Sequence, residues 1–260
     1  MTAIRATIQA QAQSYKLYIN SILEHYQLKG LIDLVASQMA IFVFSGITRN
    51  FLLGYLNNRD IDFVVLDSSK LRIPISQIRN FTILKNKFGG YKLQVGHLTI
   101  DVWDVKKTWG ILQEGMRGTA YSLMNTAFFN FSAIVFDYNK GMFYISDEFC
   151  EFYKAHVMEV VYAKNPRVET CIVNALYYAD NYGFAIGDSL RRWIVKHYTK
   201  ELDFEKAQQS RLQKVVYSNE MINAFAVICS RVDIYSKGVV RLGRGGQEVE
   251  LKFGKIMPND

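Results

Sequence analysis

FSGITRNFLLGYLNNRDIDFVV, residues 44–65, places two aspartates at the start of an otherwise apolar, strand-like run. Asp60 and Asp62 flank Ile61, and successive strand residues point to opposite faces, so both carboxylates project from one side. Two like charges held that close repel each other unless a cation lies between them or one carboxylate keeps a proton. A solvated Asp-x-Asp at a strand edge is the plain alternative. The residues before the pair argue for the cation. An apolar strand, MAIFVFSG (39–46), ends on a Ser-Gly turn, and TRNFLLGYL (48–56) reads as a short helix that stops near Gly54.

A glycine turn opening a helix presents backbone N–H groups and the positive end of the helix dipole to a phosphate, and the next strand then delivers carboxylates that can hold magnesium. That combination suits a nucleoside triphosphate. Ser45 and Gly46 are expected to hold the triphosphate, Arg49 to pair with it, and Asp60 and Asp62 to bind the metal that bridges it to an attacking hydroxyl. A third acid usually completes such a site. In KLQVGHLTIDVWDV (92–105), a hairpin or long strand, Asp101 shares a face with Trp103, and Val102 shares the other with Asp104. Asp101 is the expected third ligand of the metal pair, and Asp104 is its competitor with reversed facing.

Composition sets the limits around this site. The chain has 260 residues, 50% hydrophobic and 21% charged, enough to bury a sizeable core as one large or two small domains. No apolar run is long enough to span a bilayer, and the N-terminus lacks the blocks of a secretory signal, so no membrane association and a cytoplasmic location are expected. Cys150, Cys171 and Cys229 are widely separated, which suggests buried thiols rather than a disulfide or zinc framework. The four histidines show no ligand spacing. The net charge of +7 is uneven: residues 70–117 carry +6 and residues 191–260 carry +5. One basic block holds Lys70, Arg72, Arg79, Lys85, Lys87 and Lys92. The other holds Arg191, Arg192, Lys196, Arg241 and Arg244. Both suit a polyanionic partner, with solvated faces as the alternative.

Periodicity predicts an α+β chain: a mixed β-sheet with flanking helices over residues 1–160, then a mainly helical region with a basic tail over 161–260. Residues 4–27 read as an amphipathic helix with Ile8, Tyr15, Leu17, Tyr18 and Ile22 on its apolar positions. IDFVVLD (61–67) is a strand, and AIVFDYNKGMFYIS (133–146) a hairpin turning at Tyr138-Asn139-Lys140-Gly141. ETCIVNALYYADNYGF (169–184) and GDSLRRWIVKHYT (187–199) read as two helices, the second capped by Asp188 or Ser189. Tyr177, Tyr178 and Tyr182 lie at helical spacing, as core or as a stacking surface for a base. GRGGQEVELKFGK (243–255) reads as a hairpin turn in the basic tail.

SGITRNFLLGYLNNRDID (45–62) resembles the GGxVRDxLLGxxxxDxD motif of class II tRNA nucleotidyltransferases and bacterial poly(A) polymerases, within the polymerase-beta-like nucleotidyltransferase superfamily, with one residue more between LLG and the aspartate pair. Ser45 stands for the first glycine and Asn50 for the aspartate after Arg49. Residues 122–149 are similar to the stretch in which that family writes FTINALAY before a hairpin, with Asn125 at the asparagine position. NALYYADNYGFAIGDSL (174–190) resembles the family's neck segment. The similarity covers roughly residues 30–200. It implies a nucleotidyltransferase head with a two-metal magnesium site on Asp60, Asp62 and Asp101, and adds Asn125 to the nucleotide-binding residues Ser45, Gly46 and Arg49. It also implies transfer of a nucleoside monophosphate from a triphosphate, ATP or another, to an acceptor hydroxyl, with a tRNA-like RNA 3′ end as the expected acceptor.

The sequence departs from the family at definite places. The family's RRD is Thr119, Ala120 and Tyr121 here, and the neck's EDxxR, which reads the incoming base, has no counterpart at Asn174, Tyr177 and their neighbours. The long helical body and tail are expected to be absent, since roughly 60 residues come after the neck-like helices. The alternatives are a nucleotide- or RNA-binding module that lost catalysis, which has no use for the Asp-x-Asp repulsion, and a toxin- or defence-type enzyme that modifies RNA or protein.

Overall fold

The structure is a computed structural model and describes residues 1–44, 46–56, 58, 60–70, 82–85, 90–231, 238–241 and 250–253. The chain divides into two compact units, Met1–Ala127 with Phe131–Lys154, and Phe128–Asn130 with Ala155–Asp260.

The first unit opens with three helices, α1 (Thr2–Gln9), α2 (Ala12–His25) and α3 (Lys29–Gln38). The single helix expected over residues 4–27 is thus two, broken at Ala10–Gln11. The buried stripe runs through Ile8, Ala12, Tyr15, Ile19 and Leu23, whereas Leu17 is 59% exposed. Leu17 is two residues from Tyr15 and Ile19, about 200° round the helix from each, so it falls on the opposite side.

Strand β1 (Ile41–Phe44) leads into α4 (Gly46–Leu52), and β2 (Asp60–Val65) comes next. Gly54, at φ +82°, ends the α4 segment in a conformation an L side chain rarely adopts. Then come β3 (Thr82–Lys85), β4 (Tyr91–Val95), β5 (Leu98–Asp104), α5 (Trp109–Gln113), α6 (Ala120–Asn125), β6 (Ile134–Asp137), β7 (Met142–Ile145) and α7 (Asp147–Ala155). Thr119 starts α6 by accepting a hydrogen bond from the Ser122 N–H at 3.1 Å.

The seven strands form one mixed sheet in the order β3-β4-β5-β2-β1-β6-β7, with β2 and β5 parallel and the other neighbours antiparallel. Val43, Ile61, Phe63, Leu93, Ile100, Phe136 and Phe143 alternate onto one face and are buried. Helices cover that face: the buried Tyr15 ring lies edge-on to Phe136 at 4.7 Å and 5.3 Å from Phe143, and its hydroxyl meets Thr48 Oγ1 at 2.8 Å. Each aromatic side chain so buried stabilises the unit by about 1.5–3 kcal/mol. The opposite face, which carries Asp60, Asp62 and Asp101, is only half-covered around β2 and β5.

The second unit is mainly helical, with α8 (Val168–Tyr182), α9 (Asp188–His197), α10 (Phe204–Leu212) and α11 (Asn219–Arg231). It also holds a small sheet that the helical periodicity does not announce, β8 (Val157–Met158), β9 (Ala185–Ile186), β10 (Gly238–Arg241) and β11 (Glu250–Phe253), ordered β11-β10-β9-β8. The antiparallel β10 and β11 bracket the expected tail hairpin, whose turn lies outside the described residues. Gly183, at φ +66°, closes α8 in the left-handed conformation.

The start of α9 differs from the expected cap. Neither Asp188 nor Ser189 caps it; the Glu159 carboxylate does, accepting the backbone N–H of Asp188 at 3.0 Å and of Ser189 at 2.8 Å. Asp188 is the first helical residue, and it pairs with Arg191 at 2.8 Å and with Arg192.

Candidate active site

The register of the sheet assembles the acidic residues. Asp62 on β2 and Asp101 on β5 are direct partners across the parallel junction, and Asp60 partners Thr99 one pleat further along the same face. Strand β5 alternates strictly, with Leu98, Ile100, Val102 and Asp104 buried and Thr99, Asp101 and Trp103 half-exposed. Asp104, the competitor for the third position, is therefore on the other face and has a structural task. Its Oδ2 accepts the Ser68 N–H at 2.7 Å and its Oδ1 the Lys106 N–H at 2.8 Å.

The acids repel one another in this setting. Burial first, then the charges of Asp101 and Asp60, push the Asp62 carboxyl up to about 7, and Lys92 works in the opposite direction. Lys92 on β4 is the partner of Asp101 in the antiparallel β4–β5 pair, with Nζ 3.4 Å from Asp101 Oδ2. Lys92, Asp101 and Asp62 thus form one row across three adjacent strands. Phe44 on β1 continues it opposite Asp62, and its ring meets Trp103 edge-on at 6.5 Å.

Crowded carboxylate oxygens on a half-exposed face fit the chemistry of a hard divalent cation. Among the described residues, however, no three acidic, histidine or cysteine side chains converge as a ready metal cage. Asp101 is instead turned to Lys92.

The residues expected to hold the triphosphate divide between the site and the interior. Ser45 lies outside the described residues. Gly46 is the first residue of α4, immediately beyond the β1 end that pairs with Asp62, and a Cβ there would meet nothing within 4 Å. Arg49 is 2% exposed, which sets it apart from the expected phosphate ligand. The helix turns Ile47, Thr48, Arg49 and Leu52 inward, and the guanidinium is held by Asn50 Oδ1 at 2.7 and 3.0 Å, with its centre 4.8 Å from the Phe131 ring centroid. Asn125 is the exposed last residue of α6, which packs against β6 and β7, two and three strands from β2. Tyr121, at the place of the family's RRD aspartate, is 64% exposed and meets Tyr144 edge-on at 5.6 Å.

In the second unit, Tyr177, Tyr178 and Tyr182 are half-buried. Tyr178 and Tyr182 pack against the buried Phe184 at 6.2 and 5.4 Å, which is the core reading of that stripe. Asn174 is half-buried on the same helix. Of the basic blocks, Arg191 is 1% exposed and belongs to the interior, whereas Arg192 and Lys196 are exposed. The described part of the first block reduces to exposed Lys85 and Lys92; Arg72, Arg79, Lys87 and Arg244 and the side chains of Lys70 and Arg241 lie outside the described residues. Cys150, Cys171 and Cys229 are free and buried. No helix of the described residues is long and apolar enough to cross a membrane.

Two positions escape a reading of the sequence alone. Lys92 is legible there only as one charge in a basic block, and Glu159 carries no local signal, because its partners lie about 30 residues further on.

The mixed sheet with its glycine-headed helix and Asp-x-Asp strand is the fold of a nucleotidyltransferase head, and a mainly helical region succeeds it along the chain. Among solved structures, the chain is similar to a CCA-adding enzyme in complex with CTP, with a TM-score of 0.55 and 19% identity over 82% of this chain and 51% of that one. It is also similar to a tRNA-processing enzyme in apo form I (TM-score 0.57, 16% identity, 82% of this chain and 58% of that one) and in apo form 2 (TM-score 0.54, 15% identity, 75% and 57%). At these identities the likeness is one of fold. The chain spans between 51% and 58% of the length of these three structures. No protein-family model matches the sequence, and no curated protein matches it.

Proposed function

We propose that this protein is a metal-dependent nucleotidyltransferase that moves a nucleoside monophosphate from a triphosphate to an acceptor hydroxyl, with a tRNA-like RNA 3′ end as the acceptor. The observation that carries this reading is the direct pairing of Asp62 with Asp101, with Asp60 on the same half-exposed face. A carboxylate cluster of this kind is costly unless positive charge enters it, and a triphosphate–magnesium complex brings that charge with the substrate. Asp60 and Asp62 would hold a pair of magnesium ions, and Asp101 the ion on the acceptor side. A metal pair held there would supply Lewis-acid activation of the hydroxyl and charge neutralisation of the leaving pyrophosphate. The acceptor oxygen forms a bond to the α-phosphorus as the bond from that phosphorus to the bridging oxygen of the pyrophosphate breaks, and the hydroxyl proton passes to solvent water.

Gly46, with Ser45 before it, lies beside the acidic row and would take the triphosphate on backbone N–H groups. Asn125 is retained as a proposed nucleotide contact, reached from α6. Arg49 is assigned to packing. Exposed Arg192 and Lys196 would contribute sequence-independent attraction for an RNA backbone.

A second reading, a nucleotide- or RNA-binding module without catalysis, draws on Asn50 and Tyr121, which replace the family's aspartates. One experiment separates the two. The protein is incubated with total RNA, magnesium and each α-labelled triphosphate in turn, and the labelled RNA and protein are sized. Labelled RNA supports the enzyme. Label on protein overturns RNA as the acceptor, and triphosphate binding without any transfer favours the binding module.

A further inference from the structure

We infer that Lys92 is an internal counter-ion of the acidic row, occupying Asp101 in the metal-free protein and giving way when a divalent cation binds. The inference rests on the nucleotidyltransferase reading of Asp60, Asp62 and Asp101 and deepens it.

The placement is dictated by the sheet. Strand β4 pairs with β5 so that Lys92 lies directly opposite Asp101, and β5 pairs with β2 so that Asp101 lies directly opposite Asp62. Adjacent strands are about 4.8 Å apart, so the three side chains rise from one face as a lysine–carboxylate–carboxylate row. Leu93, the next residue of β4, is buried on the other face, which fixes the side on which Lys92 emerges. Nζ reaches Asp101 Oδ2 at 3.4 Å, and the side chains are 48% and 31% exposed.

An ion pair this exposed is weak. It is strong enough to relieve part of the carboxylate repulsion, yet cheap to break. A divalent cation sharing oxygens of Asp62 and Asp101 would stand within a few ångströms of the ammonium, where the two positive charges repel. The lysine and the metal therefore compete for the same carboxylate. The four-carbon stem lets the ammonium leave without moving the strand.

The test is a metal titration that needs no turnover. Mn2+ binding to the full chain is measured by electron paramagnetic resonance of the free ion for the wild type, Lys92→Ala and Lys92→Arg, and melting is followed in chelator. Lys92→Ala is expected to bind Mn2+ about 2- to 10-fold more tightly while melting lower without metal, and Lys92→Arg to remain close to wild type. Unchanged or weaker Mn2+ binding by Lys92→Ala, with metal bound by the wild type, overturns the inference alone. No binding by either protein overturns the inference together with the metal-dependent reading beneath it. If Lys92→Ala does not fold, Lys92→Gln, which keeps most of the stem, is judged by the same titration.

Discussion

Asp62 and Asp101 are direct partners across the parallel β2–β5 junction, so their carboxylates leave the sheet side by side. Parallel pairing makes this possible from sequence positions 39 residues apart. The alternation of each strand then sorts the remaining acids, Asp60 onto the shared face and Asp104 away from it. The chemistry proposed for the protein stands on that arrangement.

Replacing any one of Asp60, Asp62 or Asp101 by Ala is expected to reduce transfer by several kcal/mol of activation free energy, on the order of a thousandfold, with melting in chelator unchanged or raised for the Asp62 variant. Asp104→Asn should behave in the opposite way. It disturbs an acceptor of two backbone N–H groups and should cost about 1–3 kcal/mol of stability, with transfer per folded molecule retained. Labelled-triphosphate assays beside thermal melts measure both quantities. Full activity of both Asp60→Ala and Asp62→Ala would sink the proposed function, and loss of chemistry in a well-folded Asp104→Asn would show that facing does not separate the catalytic acids from the structural one.

The Asp62 carboxyl, raised to about 7, gives a pH signature with a definite sign. An unfolded chain releases this proton near the ordinary aspartate value of about 4, whereas the folded protein keeps it until about 7. Between those values the native state binds more protons, so the contribution of this group to stability falls as pH rises and levels off above about 7. Asp62→Asn removes the falling term. In chelator, its melting advantage over wild type is expected to grow from about pH 5 to about pH 7.5 and then to flatten, each 1 kcal/mol corresponding to about 2–4 °C. Excess magnesium at about pH 8 should erase the advantage, because the cation replaces the proton only where the carboxylate is present. An advantage constant across pH would mean that the acidic row does not load Asp62.

Glu159 caps α9 across about 30 residues of sequence, and Gly187 is the residue that lets it do so. A Cβ on Gly187 would fall 2.1 Å from a Glu159 carboxylate oxygen. Glu159→Ala should cost about 0.5–2 kcal/mol, as for a lost cap. Gly187→Ala should cost a similar amount, because the carboxylate must leave its N–H partners to make room. The double variant should then cost clearly less than the sum of the two, since the same hydrogen bonds can be lost only once. Chemical denaturation of the four proteins closes that cycle, and simple additivity would refute the coupling.

The features legible in the sequence are local. The Asp-x-Asp strand, the alternation that separates Asp101 from Asp104 and the turn glycines come from periods and residue types within a few positions. Those that were not legible depend on register between distant segments. Lys92 reads as one charge in a basic block until β4 sets it against Asp101, and Arg191 reads as surface charge until α9 turns it inward to donate to the Cys229 carbonyl, 38 residues on. Arg49 is the mixed case. Its position in the segment is local, but its burial against Phe131 depends on a residue 82 positions away.

Selection among bases is expected to be weak. A site that hydrogen-bonds the edge of its substrate rejects a mismatch strongly, because a wrong base leaves buried polar groups unpaired. On the resemblance drawn from the sequence, Asn174, Tyr177 and Tyr178 of α8 stand at the place expected for the family's acidic and basic readers, and none of these three can form a charged edge-on pair. Tyr178 is half-buried, with its ring stacked on Phe184. Tyrosine faces can stack on any base at similar gain, which tolerates all four. Transfer rates for ATP, CTP, GTP and UTP on one RNA acceptor should therefore lie within about 10-fold of one another, the discrimination that about 1.4 kcal/mol supplies. A preference for CTP and then ATP by several orders of magnitude would mean that base reading persists through residues other than these, and would overturn the assignment of α8 as a helix without a reader.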